Sequence, residues 1–289
     1  MLLKKDKMRK MKNKYDKYDI GDDEVYMLGQ NRNDNKNRIP WWLWVIIGVV
    51  VLATSIFLVV HFMGKAKNDD SDVWYNNTDT RLPSSIIISD TLMDGIHLRI
   101  FTPYNTVPTL HVGTLDTSDA EIVFATLAAD LGYENGKIIG AFVCEGEPRS
   151  WGGGRKLGYC AIIGGNITLG VSESSPLFEQ AIEQGGYFFR QYPAVDNGEM
   201  VKNNPKNASF RRALCMLNGK VCVVATTDNR VLMNDFSSAL AKLGVENAIF
   251  LVGGTADGWY RNGDGTLYRL GEEYIKGDTN INYIVFRAQ

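Results

Sequence analysis

The longest apolar stretch of the chain covers 40–63, where His61 is the only ionisable side chain. At about 1.5 Å of helix rise per residue it exceeds the roughly 30 Å hydrocarbon thickness of a bilayer, so the pattern predicts one transmembrane helix there. A cleavable leader would have a shorter apolar core ending in small residues, which favours an uncleaved signal anchor. Residues 64–80 carry almost nothing apolar besides Val73, Trp74 and Tyr75 and read as a linker, placing the start of a folded domain at Arg81.

From residue 81 the pattern alternates between strand and helix periods. Segments 84–92 and 96–102 flank Asp94 and Gly95, and Ile96, Leu98 and Ile100 alternate with His97 and Arg99, as in a β-hairpin. Ser118 with Glu121 reads as a capping box opening a helix that carries Ile122, Phe124, Ala125 and Leu127 and stops at Gly132. A short strand is expected over 137–143, and a second hairpin over 159–163 and 167–171 around Gly164, Gly165 and Asn166. Ser175 and Pro176 open a helix ending near Gly185. Segments 212–217 and 220–226 enclose Asn218 and Gly219, the strongest hairpin signal in the chain. A helix over 234–243 presents Phe236, Leu240 and Leu243 on one face, ends at Gly244 and feeds a strand over 248–252, and 283–286 reads as a closing strand. The sum is an α+β domain over 81–289 with a mixed, mostly antiparallel sheet and about three interspersed helices.

Composition agrees with a packed domain, since 45% of the 289 residues are hydrophobic. The net charge of -2 conceals an asymmetry: residues 1–39 hold 11 Lys/Arg against 7 Asp/Glu, and residues 64–289 hold 20 against 26. The basic tail, together with Trp41, Trp42 and Trp44 at the near end of the apolar run, predicts a cytoplasmic N-terminus, a lipid bilayer partner at 40–63 and an extracytoplasmic domain. The acidic domain lacks the Lys/Arg stripe that binding a phosphate backbone requires, which argues against nucleic acid.

Cys144, Cys160, Cys215 and Cys222 all follow the apolar run. A two-residue turn at Asn218 and Gly219 would set Cys215 opposite Cys222, either as a disulfide or as two small core thiols. With three histidines, one of them in the apolar run, a His-rich metal site is excluded, and no cofactor motif is present. The glycine-dense segment 151–155 neither follows a clear strand nor opens a helix, as a phosphate loop would.

The informative stretch begins at Arg211 and Arg212, passes the Asn218 and Gly219 turn and a helix ending in Leu243 and Gly244, and closes on a strand running into Gly253 and Gly254. This order resembles the phosphodiester glycosidase family, uncovering-enzyme-like domains, over roughly residues 84–289. Gly140, Ala141 and Phe142 with Pro148, and the segment 193–198, extend the resemblance upstream. The sequence departs from the family at Val252, where an aspartate is usual, and at Ile139, where an asparagine is usual; valine supplies neither a proton nor a metal-binding oxygen.

The resemblance implies a hydrolase of sugar phosphodiesters or a surface glycan. Arg212 and Arg190 would hold phosphate, Gly253 and Gly254 would shape the pocket, and Trp259 and Tyr260 would stack on a sugar ring. Glu145 and Asp257 are the candidate acid and base in place of the missing aspartate. A non-catalytic carbohydrate-binding or structural domain of the same fold is the alternative.

Overall fold

The computed structural model describes residues 74–152, 156–272 and 279–289, together with Trp42, Leu43, Ile46, Gly48 and Val50. Those five are helical, but no helix among the described residues is long and apolar enough to cross a membrane, so the expected transmembrane helix has no support here. Most of 40–63, like the basic tail, lies outside the described residues. Residues Asp70–Gln289 form one compact unit.

Three sheets build that unit, with strands numbered by their place in the chain. The first runs β1 (Ser85–Met93), β2 (Ile96–Tyr104), β13 (Lys220–Thr226), β12 (Arg212–Leu217), β14 (Val245–Phe250), β10 (Pro193–Asp196) and β11 (Glu199–Met200). The second runs β16 (Leu267–Arg269), β15 (Gly258–Arg261), β4 (Ile122–Leu127), β17 (Asn282–Ala288) and β3 (Thr106–Val112). The third runs β6 (Glu147–Trp151), β5 (Ala141–Cys144), β9 (Tyr187–Gln191), β7 (Gly158–Ile163) and β8 (Asn166–Val171). Neighbouring strands are antiparallel throughout the first sheet, as they are in the other two.

The described residues hold two helices in this unit, α1 (Leu177–Glu183) and α2 (Met233–Leu243). The fold is therefore mostly β, and the expected α+β class with about three helices is corrected. The failure lies at 118–132. Ser118 turns back on Asp116 through its backbone N–H (2.8 Å) and hydroxyl (2.7 Å) instead of capping a helix. The following residues form β4, paired on one side with β15 and on the other with β17. A central strand buried on both faces is continuously apolar, and such a run carries no period to separate it from a helix. The β-branched Ile122, Val123 and Thr126 were the contrary signal.

Asn218 (φ 51°) and Gly219 (φ 68°) make the predicted tight turn, whose register sets Cys215 directly opposite Cys222. All four cysteines are buried free thiols. Cys215, Cys222, Ala213 and Val224 face Phe236 and Leu240 of α2, which ends at Gly244 in the left-handed conformation (φ 90°). Their neighbours Leu214, Met216, Val221 and Val223 point the other way, into a core shared with Phe124 and Ile284 of the second sheet and Phe142 and Phe189 of the third. Contact with the domain begins before Arg81. Tyr75 pairs with Ile167 (2.9 and 3.0 Å), and the Asn77 amide donates to the carbonyls of Pro103 (2.7 Å) and Val221 (2.6 Å). These polar residues look like a linker in sequence because they bind backbone groups rather than filling the core.

Candidate functional site

Where β14 ends, the chain runs through Leu251 and Val252 into Gly253 and Gly254. A Cβ on Gly253 would stand 2.5 Å from the carbonyl oxygen of Phe210, so only glycine lets the two backbones approach this closely. Gly254 (φ 71°) donates its N–H to the same oxygen at 2.8 Å. The strand exit is thereby held against Arg211 and Arg212. Between them, the middle of β2, the end of β13 and the segment 269–272 lies a cleft of about 320 Å³.

Four guanidinium groups line this cleft, from Arg99, Arg211, Arg212 and Arg269, and Glu272 is the one acidic residue among its described lining. Arg212 is 4% exposed and reaches from the first sheet to the second, donating to Thr126 Oγ1 and to the carbonyls of Leu270 (3.4 Å), Ala256 (3.5 Å) and Asp257 (3.5 Å). Its Nε is buried without an acceptor among the described residues. Burial lowers the Arg212 pKa to about 10, with the Asp257 charge opposing, so the group is still a cation at neutral pH. Arg211 is fixed by donation to the carbonyls of Val231 (3.0 Å) and Asn207, and its backbone N–H donates to Thr226 Oγ1 at 2.9 Å. Arg99 clamps Asp90 at both carboxylate oxygens (2.7 and 2.9 Å) and thereby holds that carboxyl below its ordinary pKa.

The structure gathers only part of the predicted set. Arg212, Gly253 and Gly254 meet in the cleft as expected. Asp257 lies behind the lining, its Oδ1 3.3 Å from Arg269 Nη1 and its Oδ2 3.0 Å from the Tyr283 hydroxyl, which donates to it. Trp259 is fully buried, with Arg261 over its ring at 5.6 Å, so it offers no face to a sugar. Tyr260 stacks on Tyr268 at 5.2 Å outside the cleft lining. Glu145 (φ 54°) and Gly146 (φ 78°) are the exposed turn joining β5 to β6; a carboxylate there serves a hairpin, remote in the fold from the Arg212 cleft. Val252 is half-buried and absent from the lining.

Arg190 serves the third sheet instead. It donates to the carbonyls of Ser172 (2.6 Å), Glu173 (3.2 Å), Leu157 (3.3 Å) and Lys156 (3.4 Å), pinning two loops beside a separate cavity of about 680 Å³. Sequence reasoning missed Arg99, Arg269 and Glu272. Arg99 was visible only as the polar phase of an alternating strand, and nothing local marks Arg269 or Glu272. Among the described residues no three His, Cys, Asp or Glu side chains gather as a metal-binding group.

No protein-family model matches the chain, and no curated protein matches it in sequence. Among solved structures it is similar to the catalytic domain of zebrafish N-acetylglucosamine-1-phosphodiester alpha-N-acetylglucosaminidase, auto-inhibited by its pro-peptide, at 14% identity and a TM-score of 0.52 over 74% of this chain and 86% of that one. A hypothetical protein from Synechocystis matches at 13% identity and a TM-score of 0.49 over 71% of this chain and 62% of that one. At such identity, the likeness to the zebrafish domain establishes a shared fold.

Proposed function

We propose that this chain is an extracytoplasmic hydrolase of the phosphodiester glycosidase type, acting on a sugar phosphodiester or a related surface glycan at the Arg212 cleft. The observation that carries this reading is the convergence of Arg99, Arg211, Arg212 and Arg269 on one concave site beside Gly253 and Gly254. Forked guanidinium donors match the paired oxygens of a phosphodiester, and burial strengthens their pull on a charged ligand. Glu272 takes the acid/base role at the leaving oxygen, because Asp257 is held beneath the surface and Glu145 lies in a hairpin turn. The fold shared with the zebrafish N-acetylglucosamine-1-phosphodiester alpha-N-acetylglucosaminidase domain is consistent with this reading. The basic residues 1–39 followed by the apolar run 40–63 support an extracytoplasmic location.

A non-catalytic carbohydrate-binding domain is the second reading, favoured by Val252 and by the engagement of both Asp257 carboxylate oxygens. A panel of aryl sugar phosphodiesters and plain aryl glycosides, offered to the purified full chain in detergent with and without a chelator, separates the two. Release of free sugar and aryl phosphate from a phosphodiester is the expected result; inactivity on every substrate alongside measurable glycan binding selects the binding domain.

A further inference from the structure

We propose that the cavity at Trp151 is a carbohydrate subsite, in which an uncharged pyranose stacks on the indole and donates its hydroxyls to Glu173 and Glu179. It shares no lining residue with the arginine cleft, and the inference stands whether or not that cleft is catalytic.

Trp151 ends the edge strand β6 with 75% of its surface exposed. Its ring is nonetheless fixed. The indole meets the Phe178 ring edgewise at 5.6 Å, Phe178 meets Phe188 edgewise at 5.5 Å, and Phe188 stacks on Tyr159 at 5.8 Å. An aromatic ladder rooted in the core thus holds an open indole at the rim of a cavity of about 680 Å³. That volume falls in the range of small-molecule sites, and the indole supplies it with an aromatic face open to a ligand.

The polar lining selects the ligand. Glu173 and Glu179 both line the cavity, and neither carboxylate has a hydrogen bond or ion pair among the described residues. The cations beside them are already committed: Arg190 to four loop carbonyls and Lys156 to Asp130 at 2.5 Å. The two unpaired carboxylates offset the charges of Arg190 and Lys156, so the lining is close to neutral and rich in open acceptors, which suits an uncharged ligand with many hydroxyl donors. An indole face next to such acceptors is the arrangement that takes the C–H face of a pyranose while its equatorial hydroxyls reach the acceptors. The Arg190 clamp on Ser172 and Glu173 fixes the acidic loop before any ligand arrives, so little ordering cost remains to be met on binding.

The test is calorimetric titration of the full chain in detergent with cellotetraose, maltotetraose and chitotetraose, and with inorganic phosphate as the charged control. At least one tetrasaccharide should bind, Trp151→Ala should weaken it about tenfold or more, and Glu179→Gln should weaken it less. Trp151→Phe should keep part of the affinity. Circular dichroism and the urea midpoint of Trp151→Ala should match the parent, because the ring lies largely in solvent. Failure of all three sugars to bind, or parental affinity in Trp151→Ala, overturns the subsite. Absence of turnover with sugar binding intact would instead count against the hydrolase alone.

Discussion

Tyr283 and Asp257 are joined across the second sheet by a hydrogen bond of 3.0 Å, the phenol donating to Oδ2, while Arg269 holds the other carboxylate oxygen at 3.3 Å. Asp257 therefore supports the cleft from behind by orienting Arg269. Replacing it with alanine removes the acceptor of the buried phenol and one carboxylate partner of the guanidinium. Asp257→Ala should lose about 2–4 kcal/mol of stability, read as a lower urea midpoint at unchanged slope, and Tyr283→Phe about 1 kcal/mol.

Gly253 offers a second test of how the cleft is built. A methyl group there would meet the Phe210 carbonyl oxygen at 2.5 Å, and backbone cannot swing aside as a side-chain tip can. Gly253→Ala should cost about 1–3 kcal/mol and move the strand exit away from Arg211. Gly263→Ala, which meets nothing within 4 Å, is the matched control.

Lys156 carries a buried ammonium whose pKa burial lowers, and its partner Asp130 is partly open to solvent. Asp130→Asn removes the countercharge while leaving the amine inside. That variant should be less stable by roughly 3 kcal/mol, whereas Lys156→Met, which removes the charge itself, should be close to the parent. A midpoint for Asp130→Asn equal to that of Lys156→Met would show that the pair adds nothing.

Local chemistry decided which parts of this fold were legible. The Asn218 and Gly219 turn, the Gly244 helix stop and the alternation at Ile96, Leu98 and Ile100 each act within a few residues, and each reappears in the structure with its predicted register or end. Strand β4 was misread because burial on both faces erases periodicity, and Asn77 because its partners lie on β2 and β13, distant in sequence. The site was legible where the motif itself is structural, at Arg212, Gly253 and Gly254. Asp257, Trp259 and Glu145 have suitable residue types near those glycines or a glycine-aromatic strand, but side-chain direction alternates along a strand and a turn position points wherever its hairpin ends. Arg269 and Glu272 come to the cleft from beyond β15, a placement no local pattern encodes.

The thiols supply a pH test. Burial raises Cys144 from 9.0 to about 11, and Cys160 and Cys215 also titrate above their ordinary value because they are buried. A raised folded-state value means the native protein keeps protons that the unfolded chain gives up. The stabilisation is complete below pH 9.0 and disappears as pH climbs through about 11. Urea midpoints should fall across that window, and less steeply in Cys144→Ala. A thiol reagent should label no cysteine in the native chain and four after unfolding; two would mean that Cys215 and Cys222 are bonded.

Glu272 and Asp257 give opposite signatures under the hydrolase reading, and that contrast locates the chemistry. Glu272 is exposed in the cleft and its side chain makes no hydrogen bond or ion pair among the described residues, so Glu272→Gln should leave the urea midpoint unchanged. It should lower kcat for an aryl sugar phosphodiester by about 10²–10⁴-fold, the usual contribution of a positioned acid or base, with little change in KM. A leaving group that departs readily without protonation should restore part of the rate. Asp257→Asn acts through Arg269, so its loss should fall on KM and on stability together. Full turnover in Glu272→Gln would remove Glu272 from the mechanism. A selective kcat loss in Asp257→Asn would return the acid/base role to the carboxylate beneath the cleft.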